Sequence, residues 1–600
     1  MREKLLGLDA REVTSRMNKV GSYNDGISLH RSKELCGKLN MMAGKHNSFD
    51  FTQLDSRAYK LSKNTKRIVD EIVYSKCAYK RRIIRRNSAK VMNLRLALVA
   101  IAYGQFLGAC LGQARAVQPE SELTPKTEWF GIRVVDSETG RGVPLVRFRT
   151  TAQVDFWTDS NGWIAFFEPG LMDQEIYFGI ESPGYEHPAD GFGFHGVRLK
   201  TTPGDRVEVK LQRTQLAERI YRVTGSGIYR DSELLDMSIP VQRPTYPGGV
   251  VGQDSVQMVE YGGQCLWLWG DTSLANYPLG NFHVTAALTP LPGRDGFEPE
   301  QGVPLEYFIN RTTGMVAKML PDTQPGVVWL WGLCNVPDEH EKETLLAHYS
   351  RHLKLGEMVE QGIAEWDRTK QQFVKVRELP LTNTWQVPRG QAVQVNDEQG
   401  DFMYFAEPFA TTRVPATRAA VLDPARYEAL AWDLETKQYR WQREREPTTQ
   451  PEESKMIDEG ILPAASARYK VVAWDIGEEV ELHRGSIHWN EFRQRWILVA
   501  SEINRQGQPS MLGEVWCAES ASIAGPWLKA IKVATHPNYS FYNPRHHRLF
   551  DQAGGRIIYF EGTYTQMFSG NPTATPRYDY NQIMYRLDLS RLPWVEMAGR

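Results

Sequence analysis

The sequence predicts an all-β chain: a small N-terminal β-sandwich followed by a five-bladed β-propeller, behind a basic N-terminal extension that is disordered or helical. Two observations carry this. The aromatic run Cys265-Leu-Trp-Leu-Trp-Gly-Asp-Thr272 returns as Val328-Trp-Leu-Trp-Gly332, Phe402-Met-Tyr-Phe-Ala-Glu407, Trp496-Ile-Leu-Val-Ala-Ser-Glu502 and Ile557-Ile-Tyr-Phe-Glu-Gly-Thr563. Such short apolar and aromatic stretches favour buried, pleated strands. Each is then followed by a second marker: Phe282-His-Val-Thr-Ala-Ala-Leu288, Ile363-Ala-Glu-Trp-Asp367, Leu430-Ala-Trp-Asp433, Glu514-Val-Trp-Cys-Ala518 and Met584-Tyr-Arg-Leu-Asp588. Four of the five then reach a further aromatic, Phe373, Tyr439, Trp527 or Trp594. Paired markers in fixed order, with runs spaced roughly 60 to 95 residues apart, indicate antiparallel sheets repeated radially. An irregular β-sandwich with look-alike buried strands is the competing reading.

The N-terminal end differs in charge from the rest. Residues 1–91 carry 21 Lys+Arg against 9 Asp+Glu, whereas the part after Ala116 carries 48 against 63, within a formal net charge of −1 for all 600 residues. A disordered basic tail and a nucleic-acid-binding segment both suit such a stretch. The residues on its C-terminal side favour export instead. Lys80-Arg-Arg-Ile-Ile-Arg-Arg86 and Met92-Asn-Leu-Arg95 precede an apolar run at 96–111 and then Ala114-Arg-Ala116. A basic region, a short apolar region and an Ala-x-Ala site make a secretory signal at 92–116, too short for a membrane span. Residues 1–91 then read as a mis-assigned start or a long leader. Leu107-Gly-Ala-Cys110 resembles a lipobox, so membrane attachment is expected only if Cys110 is lipidated; cleavage near Ala116 discards it. The protein is expected to be secreted, periplasmic or on the cell surface. Of the six cysteines only Cys265, Cys334 and Cys517 come after the signal, widely spaced and odd in number. That is neither a disulfide framework nor a zinc pattern. Pairing of Cys265 with Cys334 and burial of all three as small apolar side chains both remain open.

Residues 125–213 read as the sandwich. Trp129-Phe-Gly-Ile-Arg-Val-Val135 is a strand, Asp136-Ser-Glu-Thr-Gly-Arg-Gly-Val-Pro144 a turn, and Leu145-Val-Arg-Phe-Arg149 alternates as a strand should. Asp159-Ser-Asn-Gly162 is a second tight turn, and Gly184-Tyr185 comes next. This order resembles the carboxypeptidase regulatory-like, transthyretin-like sandwich. The resemblance implies an accessory module without catalysis. A carbohydrate platform of Trp129, Trp157 and Trp163 is the alternative.

Residues 219–600 are assigned to the propeller. They contain no phosphate loop, dinucleotide fingerprint, H-E-x-x-H pair or G-x-S-x-G elbow in a suitable context. No cofactor, metal or nucleic-acid partner is therefore expected. The insertion at 446–465 is read as a cover over one propeller face. The chemistry on offer is carboxylates at strand ends. Gly248-Gly-Val-Val-Gly-Gln-Asp254 leads into Ser255-Val-Gln-Met-Val259, and the turn Tyr261-Gly-Gly263 joins that strand to the one ending at Asp271. Antiparallel pairing across so short a turn brings Asp254 and Asp271 to the same sheet end. Two such carboxylates suit glycoside hydrolysis, one donating a proton to the leaving oxygen and the other activating water or attacking the sugar. The bland reading makes Asp271 a turn cap and Asp254 a structural hydrogen-bond acceptor.

Gly252-Gln-Asp254-Ser, a strand, and then Leu268-Trp-Gly-Asp-Thr272 resemble the opening blade of five-bladed propeller glycoside hydrolases. The chain is most similar to the D-arabinan endo-hydrolases that grew out of a family of unknown function, and more distantly to family 43. Ala518-Glu-Ser-Ala-Ser-Ile-Ala-Gly-Pro-Trp527 resembles an outer-strand motif of family 43. The resemblance implies Asp254 and Asp271 as the catalytic pair and a polysaccharide or oligosaccharide substrate. A family 43 general-acid Glu has no matching motif here. Inversion would need a carboxyl separation of roughly 6.5–9.5 Å.

Glu407, Glu502 and Glu561 share Asp271's place in their repeats and are expected to face the same way, towards substrate. His488, Asn543 and Arg545, with Arg484, Asn490 and His546, fall on or near inner strands of the last two repeats. His488 or His546 either lines the axis or is a satisfied buried histidine. The leading function is thus a secreted glycoside hydrolase. The alternatives are a non-catalytic propeller that binds glycan or protein, and a polysaccharide lyase using Tyr542, Arg545 and His546.

Overall fold

The structure is a computed structural model describing residues 128–241, 247–276, 283–507 and 509–593. The basic extension, the export signal, Cys110, Phe282 and Trp594 lie outside the described residues.

The chain from Phe130 to Arg213 builds two four-stranded sheets. One runs in the order Trp163–Phe166, Phe130–Asp136, Arg206–Arg213, Tyr185–Glu186; the other in the order Asp155–Trp157, Arg147–Thr150, Glu175–Glu181, Gly196–Lys200. Alternate side chains of both meet in one cluster that includes Ile132, Val134, Phe148, Ile164, Phe166, Phe178 and Leu211. Both expected turns close by their own side chains. Asp136 Oδ1 accepts the Glu138 N–H at 2.8 Å, and Asp159 Oδ1 accepts the N–H of Asn161 at 2.9 Å and of Trp163 at 3.0 Å. Gly162 has φ of 80°, and a Cβ there would stand 2.5 Å from the Val134 carbonyl oxygen, so only glycine fits. The three tryptophans form no common platform. Trp163 is buried against Leu235 with Trp129 beside it, while Trp157 packs on a different cluster with Val533 and Phe541.

Among the described residues, five larger, mainly antiparallel sheets make up most of the rest, with a two-stranded ladder of Val250–Gln253 and Thr272–Leu274 beside the first. The first contains Gln257–Tyr261, Gln264–Trp269, Thr285–Thr289 and Glu306–Tyr307; the second Val327–Pro337, Glu343–Lys354, Glu357–Asp367 and Gln372–Leu379. The third runs from Gln391–Asp397 through Gly400–Ala406, Ala410–Pro415 and Glu428–Asp433 to Gln438–Gln442. The fourth comprises Leu482–Asn490, Arg495–Glu502, Val515–Ser520 and Lys529–Ala534, with Val472–Ala473 parallel at its edge. The fifth comprises Ser540–His546, Ile557–Thr565 and Asn581–Asp588, and its outer strand is Glu218–Arg222, from before the first sheet.

The core is divided among the gaps between successive sheets. Leu266 and Leu268 of the first sheet pack on Leu330 and Leu345 of the second, and Cys334 and Leu346 of the second on Met403 and Phe405 of the third. Phe402 and Tyr404 of the third meet Ile487 and Leu498 of the fourth, and Ile497 and Val499 of the fourth meet Phe541 and Ile558 of the fifth. Tyr559 and Met584 of the fifth return to Cys265, Trp267 and Trp269 of the first. Each central strand is thus buried on both faces. Its side chains alternate between two gaps, which is why Cys-Leu-Trp-Leu-Trp is apolar throughout. Cys265, Cys334 and Cys517 are free and buried in three different gaps, which rules out the Cys265–Cys334 pairing.

The insertion at 446–465, expected to cover one face, is held at the outer edge of the third sheet. It holds the helix Gln450–Asp458, started by a capping box between Thr449 and Glu452. Glu453, buried, accepts from the Tyr439 hydroxyl and the Arg468 and Tyr469 N–H groups. That anchors the helix to an outermost strand of the third sheet.

Candidate active site

The first strand of each sheet lies against the first strand of the next, from Gln257–Tyr261 through Val327–Pro337, Gln391–Asp397 and Leu482–Asn490 to Ser540–His546. The site is built from these strands. In the first sheet the ladder breaks where the two acids sit. Val250–Gln253 pairs with Thr272–Leu274, and Gln257–Tyr261 with Gln264–Trp269. The register, Gln253 opposite Thr272 and Gln257 opposite Leu268, sets Asp254 opposite Asp271. The Asp254 N–H donates to the Asp271 carbonyl at 3.1 Å and the Gly270 N–H to the Asp254 carbonyl at 2.8 Å. Ser255, with φ of 54°, bends the strand immediately after the first acid.

The side chains interlock as well. Asp254 Oδ1 accepts the Asp271 N–H at 2.7 Å, and Asp254 Oδ2 accepts the Tyr542 hydroxyl at 2.8 Å. A Cβ on Gly270 would stand 2.5 Å from Asp254 Oδ1, so the glycine of the Gly-Asp-Thr sequence makes room for its neighbour's carboxylate. The Asp271 N–H bond limits the two carboxyl carbons to about 7 Å by ordinary bond lengths. That meets only the lower edge of the separation expected for inversion.

The environments of the two acids differ. Asp271 Oδ1 accepts the Trp329 indole N–H at 2.6 Å, and no partner of Oδ2 occurs among the described residues. Burial raises the Asp271 carboxyl, the charge on Asp254 raises it further, and Trp329 only partly offsets them. Burial raises Asp254 too, but the Tyr542 hydroxyl and the Asp271 N–H both act to hold it ionised. Two buried carboxylates this close do not both ionise readily, so the pair retains a proton to higher pH than free aspartates do. Burial and the Asp254 charge keep the Tyr542 phenol protonated, well above its ordinary value, which removes it as a base.

Four further expected residues gather here. Asn543, with φ of 53°, donates from Nδ2 to Ser255 Oγ at 2.7 Å. Glu407 Oε1 pairs with Arg484 Nε at 2.7 Å. Arg545 Nη1 donates to the Gly485 carbonyl at 3.3 Å. The Gln391 amide lies 2.7 Å from His488 Nε2, and the His488 ring sits edge-on to His546 at 5.1 Å; burial drives His488 well below its usual value, so it is neutral. His546 Nε2 meets Asp551 Oδ1 at 2.7 Å, a buried histidine with its own partner.

Two expected residues are placed elsewhere. Glu561 is fully buried in mid-strand and pairs with His547 at 2.7 Å, the His547 ring lying 5.0 Å from Trp267. It faces a gap between sheets and offers nothing to a sugar. Glu502 accepts the Trp516 indole N–H at 2.8 Å, and burial raises its carboxyl; Lys532 lies over the same Trp516 ring. Neither shares Asp271's direction.

Sequence reasoning missed Trp329, Trp331, Arg389 and Gln391. Trp329 reaches Asp271 from the second sheet, and its ring lies 6.1 Å from that of Trp331. Arg389 and Arg484 each lie 5.7 Å from the Trp331 ring. The one available signal was Val328-Trp-Leu-Trp-Gly332, whose repetition marked the strand but not which face each tryptophan takes.

No protein-family model matches the chain, and no curated protein does. Among solved structures, it is similar to the GH43_1 enzyme from Xanthomonas citri complexed with xylotriose, at 12% identity over 57% of this chain and 87% of that one, with a TM-score of 0.29. It is also similar to the exo-β-1,3-galactanase from Phanerochaete chrysosporium with β-1,3-galactotriose, at 10% identity over 56% of this chain and 60% of that one, TM-score 0.28. The RS223 β-xylosidase structure shares 10% identity over 58% of this chain and 96% of that one, TM-score 0.30.

Proposed function

We propose that the five sheets form a five-bladed β-propeller carrying a glycoside hydrolase site, behind a β-sandwich accessory module, in a chain exported through the signal at 92–116. The observation that carries the reading is the opposed pair Asp254 and Asp271, with hydrogen-bond donors on one and crowding charge on the other. Asp271 is the general acid. It keeps its proton because burial and the Asp254 charge disfavour its ionised form. Asp254 is the general base, held as a carboxylate by Tyr542 and the Asp271 N–H.

In the reaction, Asp254 takes a proton from water as the water oxygen bonds to the anomeric carbon. The bond from that carbon to the leaving oxygen breaks, and Asp271 gives its proton to that oxygen. Both Asp254 oxygens are occupied by donors, which suits a base that orients water better than a carboxylate that must bond to carbon. Inversion is therefore the outcome we assign. Proton NMR of the first-formed anomer from a cleaved polysaccharide tests it: the anomer opposite to the substrate linkage is expected, and retention would make Asp254 a nucleophile. The Tyr542 hydroxyl donates to Asp254, whereas a lyase would need it to take a proton from the sugar. Products with an unsaturated sugar ring would overturn hydrolysis.

A further inference from the structure

Three guanidinium groups converge beside the acid pair, and a single carboxylate answers them. Glu407 pairs with Arg484. Arg389 and Arg545 make no salt bridge among the described residues. Arg389 meets the Met358 sulfur at 3.9 Å and otherwise lies on the Trp331 ring. Arg545 spends one N–H on the Gly485 carbonyl, and its buried Nε has no partner among the described residues. Each guanidinium has five N–H donors in a rigid fork, and few of these donors meet an acceptor among the described residues.

The electrostatics show the same surplus. Burial pushes Arg545 down to about 10 and lowers Arg389, with the Arg484 charge adding to burial and Glu407 only partly opposing it. Clustered like charges at a half-buried site are unfavourable unless an anion joins them. A cation–π role on Trp331 accounts for the Arg389 guanidinium but not for Arg545, whose buried Nε has no partner among the described residues.

The cluster is continuous with the acids. Trp329 bonds Asp271, Trp331 lies against Trp329, and Arg389 and Arg484 lie on Trp331. Arg545 is on the same strand as Tyr542, which bonds Asp254.

Building on the hydrolase reading, we propose that Arg389, Arg484 and Arg545 form a subsite for an oxyanion carried by the glycan. The substrate is then an acidic polysaccharide, its charge borne by a uronic carboxylate or a phosphate ester on a sugar near the cleaved bond. Bidentate recognition by guanidinium suits either group.

The test is equilibrium binding to the full chain carrying Asp271→Asn, so that turnover plays no part. The probes are oligogalacturonate, a phosphomannan oligosaccharide and neutral xylo-oligosaccharide, each at low and high salt. At least one charged probe is expected to bind at least about tenfold more tightly than the neutral one and to weaken with salt. Whichever charged probe wins names the source of the anion. Adding Arg389→Gln should erase that preference, read as the ratio of charged to neutral affinity, and Arg389→Lys should restore part of it. Charged probes binding no better than the neutral one, or a preference indifferent to Arg389→Gln, would overturn the subsite. Selective charged binding without cleavage of any glycan by the unaltered chain would leave the subsite standing and remove the hydrolase reading.

Discussion

Asp271 lies beside a charge it did not choose, and that has measurable consequences for both turnover and stability. Asp254→Asn and Asp271→Asn are each expected to lower turnover by about 10²–10⁴-fold, measured as release of reducing ends. Circular dichroism of both variants should match the parent, because the asparagine oxygen still accepts the Asp271 N–H or the Trp329 indole N–H, and the Tyr542 hydroxyl can turn to accept from the new amide at 254. The raised carboxyl of Asp271 also fixes the sign of a stability effect. A folded-state value above the unfolded one means that the folded chain binds the proton more tightly. Stability therefore falls as pH rises from the unfolded value through the folded one. Asp271→Asn removes that loss. Its melting temperature should exceed the parent's by about 1–3 °C at alkaline pH, with no difference at acid pH below the ordinary aspartate range. Activity should also fall as pH rises past the raised carboxyl value, as the acid loses its proton. Glu561 belongs to a different class. Glu561→Ala strands His547 in a fully buried pair and should cost about 3–5 kcal/mol in denaturant unfolding, with KM unchanged in the folded fraction.

At the scale of elements, legibility followed local geometry. The Gly262-Gly263 turn fixes the pairing of two strands, and counting outward from it sets Asp254 opposite Asp271. No tertiary information is needed. Glu561 was misplaced because its strand, Ile557–Thr565, continues four residues beyond it, whereas Gln264–Trp269 stops short of Asp271. The shared motif position hides a difference in where pairing ends, and a mid-strand side chain faces a gap between sheets. Trp329 and Arg389 were invisible for another reason: they arrive from the second sheet and from the start of the third, and only packing sets them beside the first. The insertion was legible as an insertion, but neither its helix nor its location was read from the sequence. Its anchor is Glu453, so Glu453→Ala should cost about 2–3 kcal/mol through three lost hydrogen bonds. Thr449→Ala should cost about 1 kcal/mol through the cap. Both are read by thermal unfolding.

Over the whole molecule, the strand Glu218–Arg222, which precedes the first of the five sheets, pairs with Asn581–Asp588 of the last. It also ties the 130–213 sheets to the rest. Arg219, fully buried, donates to the Pro144 carbonyl at 3.0 Å, the Pro183 carbonyl at 2.8 Å and Ser182 Oγ at 2.6 Å. The Tyr578 hydroxyl adds a bond to the Thr158 carbonyl at 2.6 Å. Calorimetry of residues 117–600 should therefore show one transition. Arg219→Met, at a cost of about 3 kcal/mol, should split off an earlier one for the N-terminal sheets. Two transitions in the parent would show the two parts to be independent.

The central claim is that Asp254 and Asp271 cleave a glycosidic bond. The most direct measurement is reducing-end release from a panel of acidic and neutral polysaccharides by the purified chain, beside Asp254→Asn and Asp271→Asn, with glycan binding followed in parallel. The account expects cleavage of an acidic polysaccharide by the parent, its loss in both variants, and binding retained in all three. Cleavage that survives in both variants would contradict it.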